Sequence, residues 1–130
     1  MAKILIVEDD AFMARVFEKA LRFEGYEVEL AADGLEGLEK LKVELPDLVL
    51  LDLMMPRMNG IEFLETVKAN PRTKGIPVVI LTNLAGDGDA QLALSKGAVK
   101  YIVKSRQDPR ESVKMIKEVL LGHTRNDIPS

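Results

Sequence analysis

The fold of this chain is indicated most clearly by LVLLD at residues 48–52, four apolar residues that end in a carboxylate. A short, continuously apolar run is typical of a strand that is buried on both faces of a sheet. Similar runs occupy residues 4–7 and 78–81, and polar residues follow each of them: Glu8-Asp9-Asp10 after the first and Thr82 after the second. These runs predict three central strands of a parallel sheet.

Strand-like and helical segments alternate along the whole chain. We predict strands near residues 3–7, 27–31, 47–51, 77–81 and 99–103, and helices near 10–24, 34–44, 59–70, 86–96 and 108–121. Strands 2 and 5 mix polar with apolar residues, as expected for the two edges of a sheet. The predicted fold class is therefore α/β, a doubly wound five-stranded parallel sheet in the order 2-1-3-4-5, which is the flavodoxin-like arrangement.

The first and last helices carry more detailed predictions. Helix 1 places Phe12, Val16 and Ala20 on one stripe, with Met13, Phe17 and Leu21 beside it. In the last helix we expect Asp108 to cap the start and Gly122 to mark the end. The predicted domain therefore spans residues 1–122, and residues 123–130 form a polar C-terminal tail.

Composition excludes several classes of function. A chain of 130 residues suits one domain, and its net charge of −3 argues against binding nucleic acid directly through bulk electrostatics. The chain has no cysteine and one histidine, so disulfide frameworks, thiolate metal sites and histidine-rich metal sites are excluded. No apolar stretch is long enough to span a membrane, and the first predicted strand leaves no room for a signal peptide. We expect a cytoplasmic protein that has no membrane partner.

The polar residues at the ends of the predicted strands form a candidate site. Parallel strands would bring the acids Glu8, Asp9 and Asp52 to one edge of the sheet, with Thr82 and Lys104 beside them. Each has a simpler explanation alone: an acid before helix 1 can cap it, and a strand-end lysine is usually solvated. Together, three acids require a cation, and a hydroxyl and an ammonium suit phosphoryl oxygens. The pattern predicts a metal-assisted, phosphoryl-accepting site.

Four segments of this site match a known family. They are IVEDD at residues 6–10, LDLMMPRMNG at 51–60, LT at 81–82 and YIVK at 101–104. In this combination, over about residues 2–122, the chain resembles a response-regulator receiver domain of two-component signalling. The resemblance implies a signalling switch that catalyses its own phosphorylation and dephosphorylation, and is not otherwise an enzyme.

The resemblance also implies a role for each residue of the acidic site. Asp52 is the expected phosphoacceptor, and Mg²⁺ is the expected cofactor. Asp9 is the expected direct metal ligand, and Glu8 acts largely through water. Met54 matches the position whose backbone carbonyl also binds the metal.

Further residues match the switch and the partners of the family. Thr82 is the expected switch hydroxyl, Lys104 the phosphoryl-binding lysine and Tyr101 the aromatic rotamer switch. The alternative for Tyr101 is that it simply covers the core, as aromatic residues of edge strands commonly do. The phosphoryl donor would be a sensor histidine kinase or a histidine phosphotransfer protein. The face formed by helix 4, strand 5 and helix 5 would then bind a downstream protein target, and a homodimer through that face is a further hypothesis.

Three positions depart from the usual family pattern. A proline usually follows the lysine, in a cis peptide; Ser105 stands here, and a cis bond before a non-proline residue costs about 3–4 kcal/mol, so we expect trans. Asn83 replaces a small residue after Thr82, and narrows access to the site. Met54 and Leu84 occupy positions that tune dephosphorylation, and both are apolar. We therefore expect slow loss of the phosphoryl group.

Three other functions fit the sequence less well. An aspartate-nucleophile phosphatase of the haloacid-dehalogenase kind would need a second acid two residues after Asp52, where Met54 stands. A flavodoxin-like FMN carrier would need a hydroxyl-rich phosphate loop after strand 1, where this chain has acids. A receiver-like domain that works without phosphorylation would not need the complete site.

Overall fold

A computed structural model describes residues 2–55, 58–82, 88–104 and 108–126. The strands are Lys3–Val7 (β1), Glu27–Ala31 (β2), Leu48–Asp52 (β3), Val78–Thr82 (β4) and Lys100–Val103 (β5). The helices are Ala11–Phe23 (α1), Gly34–Val43 (α2), Gly60–Ala69 (α3), Gly88–Ser95 (α4) and Pro109–Asn126 (α5). All strand pairs are parallel, and the order β2-β1-β3-β4-β5 confirms the predicted fold class.

The central strands place the site at one edge of the sheet. Every residue of β3 and β4 is buried, as their continuous apolar runs predict. In the register, Val7 lies beside Leu51, and Asp52 lies beside Leu81. The chain passes from β1 outward to β2 and then returns to β3, so the crevice between β1 and β3 is the switch point where ligands of such folds bind.

Two apolar layers cover the two faces of the sheet. On one face, Leu5 and Leu51 pack with Phe63 of α3 in a cluster that also includes residues of α2 and α4. On the other face, Ile6 packs with residues of α1 and α5, including Ile116. Alternate residues of each strand serve opposite layers, which explains why the runs in the three central strands are continuously apolar.

The helices begin at polar caps that follow the strands. The Asp10 carboxylate accepts the backbone N–H of Phe12 at 2.9 Å, and the Asn59 side chain accepts that of Glu62 at the same distance. Each cap satisfies a backbone donor that the first turn leaves free. One of the three consecutive acids is thus explained by capping, as expected, and Glu8 and Asp9 require another explanation.

The structure selects between the two apolar stripes of α1. Phe12 is 73% exposed, and the buried face of α1 consists of Ala14, Phe17 and Leu21. Docking on the sheet therefore buries the stripe that contains Phe17. The predicted end of the last helix at Gly122 was wrong, because α5 continues to Asn126. A Cβ at Gly122 would meet no atom within 4 Å, and a solvent-facing glycine costs a helix only about 1 kcal/mol.

Among the described residues, no helix combines the length and the apolar character that crossing a membrane demands.

Candidate functional site

The polar strand ends line a cleft of about 490 Å³ at the carboxyl edge of the sheet. Its wall includes Glu8 and Asp9 after β1, Asp52 at the end of β3, and Lys104 after β5. The parallel order of the strands brings these residues together although they are far apart in sequence. The predicted grouping of three carboxylates and an ammonium is therefore present.

The three carboxylates lie close enough to share one cation. Glu8, Asp9 and Asp52 each offer one oxygen, and these oxygens all lie within 4.8 Å of one another. Glu8 and Asp52 are each only 3% exposed, whereas Asp9 is exposed. Burial, together with the neighbouring Glu8, raises the pKa of Asp52 to about 8, and the charge of Lys104 opposes this rise only in part. Burial therefore favours the protonated form of Asp52.

Lys104 contacts two of these acids from the opposite wall. Its Nζ lies 2.5 Å from Oε1 of Glu8 and 3.5 Å from Oδ1 of Asp52, and its side chain is 10% exposed. Burial lowers the pKa of Lys104, but the contact with Glu8 and the charge of Asp52 outweigh it, so that the pKa is raised. The lysine is thus a fixed positive charge beside the buried acids.

The donor set fits a hard divalent cation. Oε2 of Glu8 accepts the backbone N–H of Asp10 at 3.1 Å, and Oε1 of Glu8 is buried with the Lys104 ammonium as its ion-pair partner. One ammonium cannot neutralise three carboxylates. Carboxylate oxygens are the ligands that Mg²⁺ and Mn²⁺ prefer, and the three grouped acids offer one oxygen each.

The segment after Asp52 is held tightly by local contacts. The backbone N–H of Met54 donates to Oδ1 of Asp52 at 3.3 Å, and the N–H of Gly60 donates to the carbonyl of Leu53 at 3.0 Å. A Cβ at Gly60 would lie 2.6 Å from the carbonyl oxygen of Asp52, so only glycine fits there. The sequence contained Gly60 within the matched motif, but only the structure shows why glycine is required.

Thr82 and Tyr101 lie on the strands beside the cleft. Thr82 is 4% exposed, and its backbone carbonyl accepts the N–H of Lys104 at 2.8 Å, which ties the lysine to the end of β4. Tyr101 is half-buried and packs against the core layer of α2, α3 and α4. The ring therefore covers this core layer from β5.

Of the remaining predicted site positions, one lies at the edge of the cleft and three lie outside the described residues. The side chain of Met54 is 67% exposed at the mouth of the cleft. Asn83, Leu84 and Ser105 lie outside the described residues. The expected trans peptide before Ser105 therefore stays a prediction.

The sequence model of the response regulator receiver domain matches residues 4–117, a span that contains every residue of this cleft. The chain belongs to this family. Receiver domains are signalling components of two-component systems, and they generally use Mg²⁺ at an acidic site such as the one formed by Glu8, Asp9 and Asp52.

Similar proteins of known name are also response regulators. The DNA-binding response regulator MtrA of Mycolicibacterium paratuberculosis is 39% identical over 125 residues, which cover 96% of this chain and 52% of that protein. Response regulator ArlR of Staphylococcus saprophyticus is 43% identical over 104 residues, covering 80% of this chain and 46% of that protein. The receiver domain described here thus spans about half the length of these relatives.

Solved structures share the fold over almost the whole chain. A CheY-like receiver domain protein from Methanospirillum hungatei is 36% identical, with a TM-score of 0.88, and the match covers 97% of this chain and 98% of that one. The Mn²⁺-bound form of response regulator Rcp1 is 30% identical, with a TM-score of 0.78, and the match covers 92% and 91% of the two chains.

Proposed function

We propose that Asp52 accepts a phosphoryl group from the phosphohistidine of a sensor kinase or a histidine phosphotransfer protein. The supporting observation is the position of this carboxylate, which is 3% exposed, 3.5 Å from the Lys104 ammonium and within 4.8 Å of two other acids. A carboxylate oxygen of Asp52 attacks phosphorus, a P–O bond forms, and the P–N bond breaks with its electrons returning to the imidazole. The product is an acyl phosphate.

Glu8, Asp9, Asp52 and the backbone carbonyl of Met54 would hold Mg²⁺. Asp9, the exposed member of the group, would be a direct ligand, and buried Glu8 would act largely through water. When bound, the ion neutralises the charge that develops on the transferred group. Rcp1, a structural relative, is known in a Mn²⁺-bound form, which supports a divalent cation here. Asp52 must lose its proton before phosphoryl transfer, because the attacking group is the carboxylate.

Lys104 exchanges partners in this proposal. In the unphosphorylated structure its ammonium is closer to Glu8 than to Asp52. A phosphoryl group on Asp52 adds new anionic oxygens, and Lys104 moves towards them because a charge-assisted hydrogen bond to a phosphoryl oxygen is strong. The Thr82 hydroxyl binds another of these oxygens. Since the backbone of Lys104 is bonded to that of Thr82, both residues respond as one unit.

The output would pass through the face formed by α4, β5 and α5. Tyr101 lies in β5 and packs against the core layer that includes Leu51 and Phe63, so movement near Thr82 can change its packing. The downstream target is a protein, and a homodimer through the same face is an alternative output. A protein target suits the net charge of −3 better than direct contact with nucleic acid. The DNA binding in the name of MtrA belongs to a protein of which this chain matches 52%.

The lifetime of the acyl phosphate would depend on side chains at the mouth of the cleft. Met54 is apolar and exposed there, so it does not orient an attacking water. Asn83 and Leu84 belong to the same proposal, which rests on their sequence positions alone. Slow self-dephosphorylation, over minutes to hours rather than seconds, is the expected outcome.

The test is intact-mass spectrometry after incubation with acetyl phosphate and Mg²⁺. Wild type gains the mass of one phosphoryl group, and Asp52→Asn does not. Asp47→Asn is the matched control, because this carboxylate lies at the other end of β3, where it accepts the backbone N–H of Lys3. Labelling of Asp52→Asn to the wild-type level would overturn the assignment. Chelation with EDTA abolishes labelling of wild type if the cation has the proposed role.

A further inference from the structure

A groove between α1 and α5 lies apart from the carboxylate cleft. It has a volume of about 490 Å³, and it shares no lining residue with that cleft. Its floor is apolar and consists of Ala20 of α1 and Val113 of α5, and Phe23 of α1 lines the groove beside them. Val113 is 5% exposed, whereas the ring of Phe23 is 86% exposed. A phenylalanine that stays in water beside an apolar floor gains free energy when a partner covers it.

The rim of the groove is strongly cationic in a chain whose net charge is negative. Lys19, Arg110, Lys114 and Lys117 line it, and Glu24 is the one carboxylate among its described lining residues. Lys117 pairs with Glu24, and Arg110 pairs with Asp108 at 3.0 Å.

Two of these cations are available to a partner. Lys19 and Lys114 are exposed, and neither has an ion-pair partner within the described part of the chain. They belong to different helices that border the same apolar floor. The groove therefore presents two unpaired ammonium groups around an exposed aromatic ring, which is the complement of an acidic, amphipathic surface.

We infer that this α1–α5 groove binds an acidic amphipathic helix of a partner protein. Apolar side chains of that helix contact Phe23 and Val113, and its carboxylates contact Lys19 and Lys114, in the helix-in-groove mode of recognition. A second copy of this chain fits less well, because a two-fold interface would place the same cations against each other. Nucleic acid fits less well too, since the floor is apolar and phosphate recognition requires a more extended cationic surface.

The probe is a synthetic peptide of about 14 residues with leucines on one helical face and glutamates on the other. A second peptide has glutamine in place of glutamate. Titration into ¹⁵N-labelled protein gives both the affinity and the binding site. The glutamate peptide shifts the amide resonances of Lys19, Phe23, Val113 and Lys114, and it binds about tenfold more tightly than the glutamine peptide.

A charge-matched pair of variants separates the groove from general electrostatics. Lys19→Glu combined with Lys114→Glu weakens binding of the glutamate peptide about tenfold or more. Lys42→Glu combined with Lys74→Glu changes the net charge equally on exposed lysines outside the groove, and leaves affinity within about twofold of wild type. Phe23→Ser also weakens binding, and circular dichroism confirms that each variant is folded.

Several results would overturn the inference. They are equal affinity for the two peptides, shifts confined to the α4–β5–α5 face or to the carboxylate cleft, and no shift of groove resonances at millimolar peptide. Tighter binding of a DNA oligonucleotide than of the peptide would favour nucleic acid. A concentration-dependent dimer that Phe23→Ser abolishes would favour a second copy. The inference does not depend on phosphorylation of Asp52, so Asp52→Asn binds the peptide as wild type does.

Discussion

Lys104 Nζ lies 2.5 Å from Oε1 of Glu8 and 3.5 Å from Oδ1 of Asp52. In the unphosphorylated domain the lysine therefore compensates Glu8 more directly than the proposed phosphoacceptor. Because Glu8 is 3% exposed, the pair is a buried ion pair whose partners depend on each other. Such a pair contributes little net stability, but removal of one partner is costly.

Lys104→Met should destabilise the metal-free domain by about 3–5 kcal/mol, because Glu8 keeps a buried charge without a cation. Urea unfolding in EDTA measures this change. Lys104→Met combined with Glu8→Gln should recover much of the loss, since neither partner is then charged. If the double variant is as unstable as the sum of the two single variants, the contact with Glu8 is not the reason for the effect.

Phe12 and Phe17 should differ sharply in their contribution to stability. Phe17 is 3% exposed within the α1–α5 core layer, and Phe17→Ala should cost about 3–5 kcal/mol because it leaves a cavity. Phe12 is 73% exposed, and Phe12→Ala should change the free energy of unfolding by less than about 0.5 kcal/mol. Thermal or urea unfolding of both variants measures the contrast. Equal losses would mean that Phe12 is buried in solution.

The contrast between these two phenylalanines marks a limit of prediction from sequence: strand positions can be predicted, but the rotation of a helix cannot. The apolar runs before Asp9 and Asp52 locate two central strands, because burial on both faces leaves a local pattern that needs no tertiary information. The order of the strands then implies that these acids meet. The rotation of α1 does not follow in this way, since its apolar residues allow two adjacent faces and only docking on the sheet selects the one with Phe17.

The finer geometry of the site depends on distances that no local pattern records. The sequence predicts Lys104 as a site residue, but it does not predict that the ammonium lies closer to Glu8 than to Asp52. That difference is only about 1 Å, and it depends on where one side chain is placed. The requirement for glycine at position 60 arises from the backbone of β3, which is remote from the helix that Gly60 begins. The path of α5 beyond Gly122 was mispredicted because a solvent-facing glycine weakens a helix without ending it.

Gly60→Ala should disturb the site through the backbone. A Cβ would lie 2.6 Å from both the carbonyl oxygen of Asp52 and the Cα of Leu53, so the segment after β3 must move. We expect a loss of about 1–3 kcal/mol and slower labelling by acetyl phosphate. Urea unfolding and a mass-spectrometric time course measure the two effects. Gly75→Ala is the control, because a Cβ there meets no atom within 4 Å, and it should match wild type in labelling rate.

The raised pKa of Asp52 predicts how stability depends on pH. Burial raises this pKa from 3.8 to about 8, so between these values the folded metal-free domain binds a proton that the unfolded chain has lost. The free energy of unfolding must therefore fall as pH rises through this window. Above the window, the stabilising contribution of the Asp52 proton is fully lost. Asp52→Asn has no such proton. Relative to this variant, wild type should lose on the order of a few kcal/mol between pH 5 and pH 8.5 in EDTA.

Urea unfolding of wild type and Asp52→Asn at several pH values measures this difference. Mg²⁺ competes with the proton for the carboxylates, so saturating Mg²⁺ should stabilise wild type most at the alkaline end and flatten its profile. Asp52→Asn should respond much less to the ion, because the variant lacks one of the three carboxylates that are proposed to hold it. Parallel pH profiles for wild type and variant in EDTA would show that Asp52 is already ionised at neutral pH, and that the buried cluster is compensated without a cation.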